Sequence, residues 1–166
     1  MMNIISCREC GRMSMREEEF FDLQVQVPGL GGLDESVAQF FEMEGLVGDN
    51  QYFCEQCDRK VDADKGVRLD KLPTEITFNL MRFALDFETW QRYKVHTRFA
   101  YPLQIDIRPF MLESSVKEDE EYVYELKSVL IHSGNAYGGH YHAYIRDTLG
   151  EGEWYRDLDL EAQRKK

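Results

Sequence analysis

Apolar residues recur at every second position in "EEEFFDLQVQVP", Glu17 to Pro28, where Phe21, Leu23, Val25 and Val27 alternate with polar neighbours and the run stops at a proline. A period of two predicts a strand with one buried face. Pro28 and the three glycines that follow predict a turn. The period then changes. In "LDESVAQFFEMEGL" the apolar positions Leu33, Val37, Phe40 and Phe41 follow helical spacing, Asp34 and Glu35 stand in the first turn, and Gly45 is placed to end the helix. From about Val67 onward, strand signals return in "GVRLDKL", "EITFNLMRFAL", "RYKVHTRFAY", "LQIDI", "YVYELKSVLIHS", "HYHAYIRD" and "GEWYRDL". Mostly antiparallel sheet is predicted, with one short amphipathic helix, which makes the fold class α+β. The stretch "ESSVKEDEE", Glu113 to Glu121, is charged without periodicity and predicts a solvated loop between two strands.

With 166 residues, 43% hydrophobic and 13% aromatic, the chain has enough apolar material for a core of its own. A net charge of −11 argues against nucleic acid and anionic membrane as partners, because neutralising phosphates requires Lys and Arg. A basic partner suits it better. No apolar run approaches the roughly 18 residues of a membrane span, and "MMNIISCREC" lacks the basic-then-apolar order of a secretory signal. The expectation is an intracellular monomer.

The four cysteines form two C-x-x-C pairs, "CREC" at Cys7 and Cys10 and "CEQC" at Cys54 and Cys57. Two such turns brought together present the tetrahedral thiolate set that structural Zn²⁺ favours. The long intervening loop is no obstacle, since closure entropy grows only with the logarithm of length. Two disulfides are the rival reading, disfavoured in a reducing compartment. A thioredoxin-like redox pair would need a βαβ setting that the pattern lacks.

"IHSGNAYGGHYHAYIRD", Ile131 to Asp147, holds three of the four histidines. His140 and His142 share a strand face, and with His132 they offer a weak second metal set. A histidine in a strand is more often packed or surface-exposed than catalytic. Gly138 and Gly139 change the balance, because bare backbone beside His140 suits a groove for a thin, extended peptide held through main-chain hydrogen bonds.

"GGHYHAYIRD" followed by "EWY" and preceded by "LKSVLIHSG" resembles the histidine box of the ubiquitin-specific proteases, papain-like cysteine peptidases that remove ubiquitin from proteins. "GDNQYFCEQCDRKVDADKGVRLDKLPTEITFNLMRF" resembles their fingers-to-palm passage, and "RFAYPLQIDIRPF" the strand after it. The resemblance spans roughly Ser6 to Tyr155 in order. It implies a hand-shaped fold, with zinc-pinned fingers and one short helix over about residues 1–70 and a palm with the histidine box over about 71–160. The resemblance also implies a tail over residues 161–166 and leaves the family's helical thumb unmatched by this sequence. His140 matches the family's catalytic histidine, Gly138 and Gly139 match family positions beside the channel for the ubiquitin tail, and Tyr141 and His132 match residues that line its path. Ubiquitin and ubiquitinated proteins are the implied partners, structural zinc the implied cofactor, and cytoplasm or nucleus the implied location.

Two departures from the family pattern matter. Its Asn-x-Gly-x-Thr-Cys nucleophile box is not found here, and every cysteine is committed to a knuckle, so a partial catalytic domain cut at both ends is expected, inactive alone. After Trp154 and Tyr155 the chain reads "RDLDL", with Leu158 where the orienting Asn or Asp usually sits. Asp159 matches the second acidic position, and a one-residue shift would let Asp157 serve. The alternative function is a ubiquitin-binding module without catalysis. A zinc-ribbon scaffold unrelated to ubiquitin is a third reading.

Overall fold

The computed structural model describes residues 1–147 and 152–156. Fifteen strands and one α-helix follow in chain order: β1 Met2–Cys7, β2 Met13–Glu17, β3 Leu23–Gln26, α1 Leu33–Phe40, β4 Glu44–Leu46, β5 Tyr52–Cys54, β6 Arg59–Val61, β7 Ala63–Arg68, β8 Phe78–Met81, β9 Phe83–Asp86, β10 Gln91–Lys94, β11 Gln104–Asp106, β12 Val123–Glu125, β13 Ser128–Asn135, β14 Gly138–Arg146 and β15 Trp154–Arg156. The first sheet runs β2-β1-β7-β4, so the chain's beginning pairs with residues some sixty positions later, Met2 opposite Arg68 and Cys7 opposite Ala63. A second sheet runs β13-β14-β15, and the remaining strands pair two by two. Among the strand pairs of the described residues, only β3 with β8 is parallel.

Two separate apolar clusters organise these elements. The larger joins Leu23, Val25 and Val27 of the β3 region, Leu33 and Val37 of the helix, and Phe41, Leu69, Phe99 and Ile107. Leu69 is tied to the segment after β11 by backbone hydrogen bonds, from its own N–H to the Phe110 carbonyl at 3.0 Å and from the Leu112 N–H to its carbonyl at 2.7 Å. The smaller cluster is Cys7, Cys54 and Val61, with Tyr52 and Cys57 against it. Distant segments thus meet twice, around aliphatic side chains and around sulfur.

The helix buries Leu33, Ser36 and Val37, and the Ser36 hydroxyl donates to the Gln26 carbonyl, so a polar residue inside the apolar face is satisfied. Glu35 accepts from the Gly31 N–H at 2.8 Å, placing a carboxylate at the positive end of the helix. The helix ends at Phe40, with Phe41 as its cap. Gly45 does not end it; it lies in β4 opposite Asp64. Phe21 is 97% exposed, because regular pairing of β3 starts only at Leu23. Glu113–Ser115 makes one 3-10 turn, and the acidic stretch after it, through Glu121, has no regular element, as its lack of periodicity predicts. No helix among the described residues is long and apolar enough to cross a membrane.

Candidate functional site

Cys7 closes β1 and Cys54 closes β5, and each strand runs into a tight turn that returns the second cysteine of the pair. The four Sγ atoms lie within 4.8 Å of one another. Cys7 faces Cys57 at 3.9 Å and Cys10 faces Cys54 at 3.7 Å. Both separations far exceed a disulfide's roughly 2.05 Å. They match the edge of about 3.8 Å that four sulfurs at about 2.3 Å from one Zn²⁺ would make. The donor set, its close spacing and the burial of Cys7 and Cys54 therefore fit the metal.

Two ion pairs cross from knuckle to knuckle, Arg12 with Glu55 at 3.0 Å and Arg59 with Glu9 at 2.5 Å. Both are solvent-exposed and add register more than energy. The Cys10 N–H, donating to Cys7 Sγ at 3.5 Å, draws the Cys7 thiol down to about 7. The hydrogen bond with Cys10 instead leads in pushing Cys57 up to about 12. Four thiols this close can all ionise only with a cation among them.

The histidine stretch forms a hairpin. The register sets His132 opposite Tyr141, Ser133 opposite His140, Gly134 opposite Gly139 and Asn135 opposite Gly138. Alternation then puts His132 and Tyr141 on one face and His140 and His142 on the other. The rings of His132 and Tyr141 lie 4.8 Å apart, while His140 is exposed beside Ser133. At the tip, the Asn135 side-chain oxygen accepts the N–H groups of Tyr137 at 2.8 Å and Gly138 at 3.2 Å, an Asx turn that fixes the two-residue connection.

The two glycines differ. A Cβ at Gly139 would strike the Ser133 carbonyl oxygen and Nε2 of His132, whereas one at Gly138 would meet nothing within 4 Å. Close approach of backbone at Gly139 is therefore made by the chain's own hairpin, and the open backbone is at Gly138. Gly134, at φ +144°, adopts a conformation that side chains resist.

His132 is half-buried. Its Nδ1 is buried without a hydrogen-bond partner. Burial, then the Lys94 ammonium, then His140 hold its imidazole below the ordinary histidine value. The Phe83 ring meets it edge-on at 5.4 Å, and the Lys94 ammonium donates to its carbonyl at 2.6 Å. Phe83 and Lys94 were not legible as site residues, since each is an ordinary member of an alternating strand. Asp159, Asp157 and Leu158 lie outside the described residues.

A strand-rich domain with a four-cysteine knuckle pair and a Gly-Gly-His hairpin is thus on hand. The family profile described as ubiquitin carboxyl-terminal hydrolase matches residues 1–166. The chain belongs to that family. It is 44% identical over 155 residues to human ubiquitin carboxyl-terminal hydrolase 40, covering 93% of this chain and 12% of the relative. It is 39% identical over 163 residues to chicken ubiquitin carboxyl-terminal hydrolase 48, covering 96% of this chain and 15% of that protein. The chain thus spans only about an eighth to a seventh of these relatives. Among solved structures, the SAGA Ubp8/Sgf11/Sus1/Sgf73 DUB module bound to ubiquitin aldehyde shares the fold, with a TM-score of 0.80 at 23% identity, over 93% of this chain and 34% of that one.

Proposed function

We propose that this chain is the ubiquitin-holding and histidine-bearing part of a cysteine-type deubiquitinase, acting within a longer protein. The observation that carries the reading is the exposed His140 on a hairpin whose neighbouring Gly138 leaves open backbone, in a member of a ubiquitin hydrolase family. The relatives' names and the ubiquitin aldehyde in the similar DUB module support ubiquitin as the partner. The ubiquitin tail lies along Gly138 and Gly139, flanked by His132 and Tyr141. His140 takes the proton of a thiol supplied from outside this sequence, the resulting thiolate attacks the carbonyl of the (iso)peptide bond, and the imidazolium returns the proton to the amine as the C–N bond breaks. Asp159 orients the imidazole, with Asp157 as the shifted alternative.

The first sheet and the two knuckles form the fingers, pinned by one zinc on Cys7, Cys10, Cys54 and Cys57, and the later strands form the palm. Zinc here holds two distant turns together and takes no part in the reaction. The activity test is a longer chain that carries a thiol box upstream. There, His140→Ala should abolish hydrolysis of a ubiquitin C-terminal amide while ubiquitin binding persists. Full hydrolysis by that variant would overturn the assignment.

A further inference from the structure

β13 pairs with β14 on one side, and among the described residues no strand pairs with its other edge. That edge belongs to the strand whose partner carries Gly138, Gly139 and His140. An unpaired strand edge leaves backbone carbonyls seeking donors. Here one side chain answers two of them. The Lys94 ammonium lies 2.6 Å from the His132 carbonyl oxygen and 3.5 Å from that of Gly134.

The same small hairpin makes a second contact. Phe83 stands opposite Lys94 in the β9-β10 register, and its ring packs edge-on against His132 at 5.4 Å. His132 in turn lies against Tyr141 and occupies the space a Cβ at Gly139 would need. A continuous path of contacts therefore runs from Lys94 and Phe83 through His132 to Gly139, the residue before His140.

We propose that Lys94 is a positioning residue, clamping the free edge of β13 through the His132 and Gly134 carbonyls so that the hairpin tip holds Gly139 and His140 in one geometry. The inference rests on the role given to His140 above. Lysine suits the task because a compact ammonium with three donors can serve two acceptors two residues apart on one edge.

The test uses this chain alone, by NMR. The Lys94 ammonium protons should exchange slowly with water, as hydrogen-bonded ammonium groups do, in contrast to those of exposed Lys60. In Lys94→Met, the amides from Gly134 to His140 should exchange at least about tenfold faster while those of Leu69 and Ile107 keep their rates. The His132 titration midpoint should rise in that variant, because the facing cation is gone and only burial and His140 still oppose its protonation. Lys94→Arg, which keeps charge and donors, should restore most of both. An ammonium that exchanges as fast as that of Lys60, or a Lys94→Met hairpin as well protected as the parent's, would overturn the proposal. The ammonium measurement needs no variant, so it decides the matter even if Lys94→Met fails to fold. Ubiquitin is absent from all these measurements, so their failure leaves the proposed function standing.

Discussion

Gly139 lies so close to His132 that a methyl group on its α-carbon would collide with the imidazole Nε2 as well as with the Ser133 carbonyl. The two residues come from facing strands, two rungs apart in the ladder. Gly139→Ala should therefore disturb the hairpin by itself, whereas Gly138→Ala should leave it intact. Amide exchange across Ser128–Arg146 in the two variants checks this. Equal protection in both would mean that the contact has no structural weight.

Metal content follows from the sulfur geometry. The purified chain should hold close to one zinc, from one thiolate set of four. Cys54→Ser should bring the content near zero and loosen β1, β5 and β7, with less effect on the cluster around Leu69 and Ile107, because sulfur and aliphatic clusters are separate. Elemental analysis with exchange mapping measures both. Uniform loosening of the whole chain would contradict the separation.

The converse substitution falls in the larger cluster. Ile107 is fully buried there. Ile107→Ala should cost about 2–5 kcal/mol of unfolding free energy, read from urea denaturation. Its zinc content should stay at the parent's level.

Acid sensitivity follows from His132. Its folded value is depressed, by burial first and then by Lys94 and His140, so the folded chain binds the proton less readily than the unfolded one. The stability this contributes is present above the ordinary value of about 6.5 and is lost as pH falls from there through the lower folded value. The hairpin's thermal midpoint should fall between about pH 7 and pH 5, and less so in His132→Phe. The same slope in both would assign the sensitivity elsewhere.

The helix and the strands after Val67 were legible because their apolar residues recur with a local period, which the helix buries and the later strands only half-bury. β1 and β2 were not. Met13 and Met15 of β2 are exposed, and β1 is fixed by pairing with β7 some sixty residues on, a non-local event without a local pattern. The knuckles were legible because metal-ligand spacing is local within each pair, and their meeting needed only the count of four. Gly138 and Gly139 looked alike in sequence. Their different surroundings arise from the hairpin register, which sets Gly139 against Gly134 and beside His132. Lys94 was invisible for the same reason, since its carbonyl partners lie on a strand more than thirty residues away.

Ubiquitin recognition by this chain is the proposal on which the account stands. Isotope-labelled ubiquitin titrated with the chain should show resonance changes at its C-terminal tail and on one globular face. The affinity should be weak, and Gly138→Val should reduce the tail changes without altering zinc content, by filling the open backbone proposed for the tail. Ubiquitin spectra unchanged at saturating chain, or tail changes undiminished in Gly138→Val, would contradict it.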